Sequence, residues 1–158
     1  MQSQQTVRKN YIFEGKGLHT GRYARMTVCP APEDTGIVFR RTDLGEDALV
    51  PALAENVSNT ARSTTISSGN TSVSTIEHIL SALTGMGVDN AYIDIDNVEV
   101  PILDGSAKPY IDAIWKDGFR QQDAPRRYIE IKEAIEIRNE EKGSLVRIEP
   151  ADEFQYDI

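Results

Sequence analysis

Glu77 and His78 stand side by side in Ser74-Thr75-Ile76-Glu77-His78-Ile79-Leu80-Ser81-Ala82-Leu83. A carboxylate and an imidazole in one first helical turn can serve as a general base beside a metal ligand. The positive end of the helix dipole favours the ionised carboxylate there, and it favours the neutral imidazole that metal ligation requires. The other histidine is His19 and the one cysteine is Cys29. A catalytic zinc usually takes three protein ligands and leaves a fourth position to water. The pair thus points to metal chemistry for which these residues alone are too few. A bland reading competes with it. Ser74-x-x-Glu77 is also a capping box, in which the Glu77 side chain returns to the Ser74 amide while Ser74 caps the amide of Glu77. On motif statistics that role for Glu77 is the stronger one, and a lone His78 is more often a surface or partly buried side chain than a ligand.

Two further segments invite the same weighing. Pro101-Ile102-Leu103-Asp104-Gly105-Ser106-Ala107-Lys108-Pro109-Tyr110 opens a helix with Asp-Gly-Ser, which is ordinary turn-and-cap chemistry. Asp104 could instead be a buried brace holding a strand end near the first helix; either role is structural support. Gly15-Lys16-Gly17-Leu18-His19-Thr20-Gly21 contains Gly-x-Gly, but a strand follows it and not a helix, so a dinucleotide fingerprint is rejected. His19 reads as a turn residue bonded to nearby backbone, again a support and not a ligand.

The elements that must position these residues follow from periodicity. Residues 6–14 read as a strand that breaks at Gly15-Lys16-Gly17, and 18–21 as a turn. Ala24, Met26 and Val28 alternate with Arg25, Thr27 and Cys29, which suits a half-buried strand, and Ile37-Val38-Phe39-Arg40-Arg41 resumes after a proline-rich turn. Residues 60–66 predict a further strand, turned at Ser67-Ser68-Gly69-Asn70 towards Val73. Ile76, Ile79, Leu80 and Leu83 form one helical stripe with Gly85 placed as its cap. Tyr110, Ile111, Ile114 and Trp115 form a second, started by Asp104 or Ser106 and stopped by Gly118. Between the helices, residues 91–100 alternate Ile93 and Ile95 with Asp94 and Asp96. The expected fold is α+β: a two-layer sandwich of one mostly antiparallel sheet covered on one face by two helices, like the second domain of ribosomal protein S5. Gln121-Gln122-Asp123-Ala124-Pro125 then reads as a linker. Beyond it Tyr128, Ile129, Ile131, Ile135, Ile137, Leu145, Val146 and Ile148 predict two or three strands with a turn at Lys142-Gly143, and residues 154–158 are strand-like too. A hairpin alone is marginal in water, so we expect a first domain over 1–124 and the truncated start of a second, similar one over 125–158.

At 39% hydrophobic and 27% charged residues, a folded core is expected and disorder is not. The formal charge of −8 excludes general nucleic-acid binding, which needs a cationic footprint; Arg40-Arg41 and Arg126-Arg127 each lie among acids. No apolar run approaches the roughly 18 residues of a membrane span, and the polar start is unlike a signal peptide. One cysteine permits no intrachain disulfide and suits a reducing compartment. The expected location is the cytoplasm.

Taken in order, Gly15-Lys16-Gly17-Leu18-His19-Thr20-Gly21, Thr35-Gly36-Ile37-Val38-Phe39-Arg40-Arg41-Thr42-Asp43, the Ser74–Leu83 segment and Pro101-Ile102-Leu103-Asp104-Gly105-Ser106-Ala107 resemble the signatures of the zinc-dependent UDP-3-O-acyl-N-acetylglucosamine deacetylases. The likeness runs from about Gln5 to the end of the chain. It implies an enzyme of lipid A biosynthesis that removes the acetyl group from a UDP-linked acylated glucosamine, with Zn2+ as cofactor. It implies His78 as the first domain's zinc ligand and Glu77 as the general base. Family members face two related α+β domains across the active site. The second domain adds a His-x-x-x-Asp ligand pair, a neighbouring lysine and a further histidine; no histidine follows His78 here, so the resemblance implies a chain inactive by itself. Some members also carry a fused hydroxyacyl-carrier-protein dehydratase. Ser63 stands where many relatives place a cysteine near the zinc cleft, and by that likeness it lines the substrate site. The rival reading is a non-enzymatic α+β module binding RNA or protein, with Glu77 a helix cap and His78 incidental; the charge argues against its RNA form.

Overall fold

Alternation decides which side of each strand is buried, and it organises the main sheet. The computed structural model describes residues 2–153 and 155. The chain divides between Arg126 and Arg127 into two compact units. In the first, the strands are β1 (Ser3–Val7), β2 (Tyr11–Lys16), β3 (Tyr23–Pro30), β4 (Ile37–Arg41), β5 (Leu49–Pro51), β6 (Val57–Asn59), β7 (Thr65–Ser68) and β8 (Thr71–Ser74). Helix α1 (Glu77–Gly85), β9 (Ala91–Ile95), helix α2 (Lys108–Ile114) and β10 (Phe119–Pro125) complete it. The sheet runs β2-β3-β9-β4-β5, antiparallel except for the parallel β4–β9 pair. Its register stacks Phe13 beside Met26 and Met26 beside Ile95, and Val28 and Phe39 beside Ile93. All of these are buried. The opposite face carries Arg40 and Asp94 as an ion pair, with the Arg40 guanidinium 4.3 Å from the Tyr92 ring centroid.

Ile79, Ala82 and Leu83 of α1 and Tyr110 and Ile114 of α2 join the same buried cluster. The Tyr110 ring meets Phe13 edge-on at 4.8 Å, tying α2 to β2. The α+β sandwich expected from the sequence is therefore observed, with two small antiparallel sheets added: β6-β7-β8, and β1 paired with β10.

Several local expectations are corrected. The expected 6–14 strand is two strands, parted at residues 8–10, and β2 runs through Gly15 to Lys16 without a break. The strand expected over 60–66 begins only at Thr65. Gly85 is not the cap of α1: Gly87, at φ +72°, ends it, its N–H donating to Thr84 O at 3.0 Å while Val88 N–H donates to Leu83 O at 2.9 Å. These two bonds form a Schellman motif, which needs the left-handed backbone glycine adopts freely. Trp115 is 60% exposed, outside the α2 stripe, because the helix tightens into a 3-10 turn at Trp115–Asp117. The expected linker at 121–125 is part of β10, whose partner β1 lies more than a hundred residues away in sequence.

The second unit is a hairpin of β11 (Ile135–Asn139) and β12 (Ser144–Ile148), turned through Gly143 at φ +61°. Ile135 pairs with Ile148 and Ile137 with Val146, which gives one apolar face. Tyr128, Ile129 and Ile131 are not in strands. Of the strand-like stretch 154–158, Phe154 and residues 156–158 lie outside the described residues.

Candidate active site

The start of α1 is set by a turn and not by a capping box. Ser74 ends β8 with its N–H donating to Val98 O at 2.8 Å and its carbonyl accepting from Val100 N–H at 3.1 Å. Thr75 then takes φ +60°, a conformation rare for a β-branched residue and costing of order 1–3 kcal/mol. That turn leaves Ser74 in the strand pairing, so its hydroxyl reaches Val98 O at 3.3 Å and not the helix. Ile76 occupies the N-cap position and no side chain caps the helix. The capping-box expectation is thus corrected, and the Glu77 carboxylate is left to another partner. Its Oε2 accepts from Thr64 N–H at 3.1 Å, and Ile76 N–H in turn donates to Thr64 O at 3.5 Å.

Glu77 and His78 are both half-buried and lie outside the buried core cluster. Ser63, also half-buried, adjoins Thr64 in the segment that touches Glu77. The other two candidates are not bonded to this pair. His19 is exposed, and its backbone N–H donates at 2.9 Å to Oε1 of Glu99. Asp104 is exposed and bonded within its own turn, so of its two structural readings the buried brace is not what the fold contains. The backbone N–H and then the hydroxyl of Ser106 hold its carboxyl below the usual range. Neither Asp104 nor Ser106 is the N-cap of α2, which is Ala107; the Ser106 hydroxyl accepts from Lys108 N–H at 3.1 Å instead.

Sequence reasoning missed Glu99. It is the one fully buried carboxylate among the described residues, 1% exposed, and no cation there pairs with it. Its Oε1 accepts from His19 N–H at 2.9 Å and from the Thr75 hydroxyl at 3.0 Å, and its Oε2 from Thr20 N–H at 2.7 Å. Burial pushes its pKa up, but the donors from His19, Thr20 and Thr75 prevail and hold it below 4.5. Gly17 leaves the space this needs, since a Cβ there would lie 2.3 Å from Glu99 Oε2. The available signal was a carboxylate between Val98 and Val100 in an otherwise apolar approach to Pro101.

Chemically, the arrangement offers a proton acceptor at the positive end of a helix and one imidazole beside it. It does not offer a complete metal centre: no three His, Cys, Asp or Glu side chains come together among the described residues. A neutral imidazole is a donor that zinc takes, so His78 fits as one ligand of a larger set. A surface hollow of about 600 Å3, lined by Gln5, Met86, Gly87, Trp115 and Arg126 among others, lies at the other end of α1 and contains neither residue. Chemistry and not concavity therefore marks the site. No helix among the described residues is long and apolar enough to cross a membrane.

Comparison with known proteins gives the same direction. The family model described as LpxC, UDP-3-O-acyl N-acetylglycosamine deacetylase, matches residues 4–158. The bifunctional enzyme LpxC/FabZ of Porphyromonas gingivalis is 45% identical over 158 residues, which is all of this chain and 34% of that protein. The UDP-3-O-acyl-N-acetylglucosamine deacetylase of Anaeromyxobacter sp. is 46% identical over 156 residues, 99% of this chain and 50% of the relative. That of Thioalkalivibrio sulfidiphilus is 44% identical over 152 residues, 96% of this chain and 49% of the relative. The chain spans about half the length, or less, of these relatives.

Proposed function

This chain belongs to the UDP-3-O-acyl N-acetylglycosamine deacetylase family, and from that premise we propose that it is part of a zinc amidohydrolase acting in lipid A biosynthesis. The substrate is a UDP-linked, 3-O-acylated N-acetylglucosamine, and the bond broken is the amide to its acetyl group. Glu77 is the general base and His78 one zinc ligand. The remaining ligands come from a second domain, corresponding to the length of the relatives that this chain does not match. The strands after residue 125 open that domain, and the apolar face of the β11–β12 hairpin suits a strand pair that a further layer covers. The 158 residues alone do not catalyse. A cytoplasmic location fits Cys29, a free and buried thiol in a chain with no second cysteine to pair with.

The observation that carries the assignment is the release of Glu77 from helix capping. Its carboxylate is half-buried at the positive end of α1, held by the Thr64 N–H, and immediately precedes His78. A carboxylate so placed is a group that can take a proton as a general base. Zinc, when bound, supplies Lewis acidity: it polarises a carbonyl and lowers the pKa of water to about 7. Glu77 takes the proton from the attacking water, and the Thr64 N–H fixes the direction from which the carboxylate does so. His78 presents a ring nitrogen as a ligand, and Ser63 borders the substrate on the side of the 60–64 segment. Donors from the second domain stabilise the oxyanion and protonate the departing amine.

The test is Glu77→Ala in the full-length protein, with deacetylation and bound zinc both measured. Turnover falls by roughly 10²–10⁴ while zinc is retained. Near-normal turnover would return Glu77 to a structural role.

A further inference from the structure

We propose that Glu99 is a positioning residue for the Glu77–His78 pair: its buried carboxylate ties the 17–20 loop to Thr75, the residue from which α1 departs. The inference rests on the functional reading of that pair, and deepens it. Three segments distant in sequence meet on this one side chain. The loop contributes the His19 and Thr20 N–H groups, the turn before α1 contributes the Thr75 hydroxyl, and Glu99 itself lies in the segment bridged to Ser74.

A scaffold alone does not call for such a residue. Burying a carboxylate without a cation is costly, and an apolar side chain in the same space would avoid that cost. Glu99 is kept ionised because its donors converge, and those donors come from the 17–20 loop and from Thr75 in the turn before α1. Thr75, only two residues before Glu77, holds a strained left-handed backbone that persists only where its surroundings over-determine it. The bond to Glu99 is one such constraint, and the Ser74 pairing with Val98 and Val100 is the other. Gly17 closes the arrangement from the far side, where the same carboxylate leaves no room for a Cβ. Loosening Glu99 therefore lets the first turn of α1 shift, and a shift of about 1 Å in a reacting group can reduce rate about a hundredfold.

The test uses the full-length protein and four forms: wild type, Glu99→Gln, Thr75→Val and Thr75→Ser. The glutamine side chain would keep the shape of Glu99 but set an amide N–H against the donors. Valine would keep the shape of Thr75 and remove its hydroxyl, and serine would restore it. Turnover (kcat), KM, melting temperature and zinc affinity by competition with a chelator are read for each. Glu99→Gln and Thr75→Val lower kcat ten- to hundredfold, change KM by no more than about threefold, and weaken zinc binding about tenfold. Thr75→Ser returns kcat and zinc affinity to within about twofold of wild type. If the Glu99→Gln and Thr75→Val variants melt lower yet keep kcat and zinc affinity within about twofold, Glu99 only holds the scaffold and the inference is overturned. Should Glu99→Gln fail to fold, the Thr75 pair decides alone by the same criteria. A wild-type protein without deacetylase activity or zinc would overturn the reading of Glu77 and His78 itself, and this inference with it.

Discussion

Replacing Gly17 with alanine tests the packing around Glu99 with a single methyl group. The added Cβ would stand 2.3 Å from Glu99 Oε2, 2.6 Å from its Cδ and 2.8 Å from Thr20 Oγ1. Such a carboxylate cannot swing aside freely, because it is buried and three donors hold it at 2.7–3.0 Å. Making room breaks first the bond from Thr20 N–H, which ends on the oxygen nearest the new methyl. Losing a hydrogen bond to a charged acceptor costs about 1.5–3 kcal/mol, and overpacking costs about 1–3 kcal/mol. The two overlap, since one displacement relieves both. Stiffening of the unfolded chain returns about 0.4–1 kcal/mol, so the net loss is about 1–3 kcal/mol. Urea unfolding of the full-length protein, followed by circular dichroism, measures it. Gly21→Ala is the control: at φ +63° with nothing within 4 Å, it suffers backbone strain alone, about 1–2 kcal/mol. In a Glu99→Gln background the Gly17→Ala loss shrinks by about 1 kcal/mol or more, while the Gly21→Ala loss does not change. A Gly17→Ala loss under about 0.5 kcal/mol, or one equal in both backgrounds, would refute the close contact as the cause.

Three other expectations follow, two from the structure and the third from the proposed function. The carboxyl of Glu99 is held below its ordinary 4.5, so its stabilising effect is complete above that unfolded value and is lost as pH falls through the lower folded one. The stability gap between wild type and Glu99→Gln is thus constant near neutrality and closes in acid below 4.5; a gap that widens in acid would contradict the sign. Burial first, and the Asp94 carboxylate second, raise the Cys29 pKa to about 11, so near neutrality a thiol reagent labels it slowly in the native protein and quickly in urea. Rapid stoichiometric labelling of the native form would show that the thiol is not shielded. Zinc titration of the 158-residue chain gives no tight one-to-one complex, whereas the full-length protein binds one ion tightly and loses it on His78→Ala; tight binding by the short chain would defeat the shared-ligand proposal.

Much of the fold could be read from alternation and stripe. Ala24, Met26 and Val28, like Ile93 and Ile95, declare a strand with one buried face. Ile79 and Leu83 declare a helix laid on it, and Lys142-Gly143 marks the hairpin turn. The Glu77–His78 pair could be singled out in the sequence because a carboxylate and an imidazole open one helix and because the neighbouring motifs resemble a known family; its role is the proposal made above. Periodicity reports which side of an element is buried but not what meets it there. The pairing of β1 with β10, the parallel β4–β9 contact and the burial of Glu99 between loops thus had no local signal. Ser74-x-x-Glu77 shows the limit most sharply. Its spacing satisfies a capping box, yet Ser74 is claimed by Val98 and Val100, some 25 residues on, and Thr75 is forced into a left-handed turn. A local hydrogen-bonding option lost to a non-local one, and only the tertiary structure, by settling that competition, gave the Glu77 carboxylate the Thr64 N–H as its partner in place of Ser74.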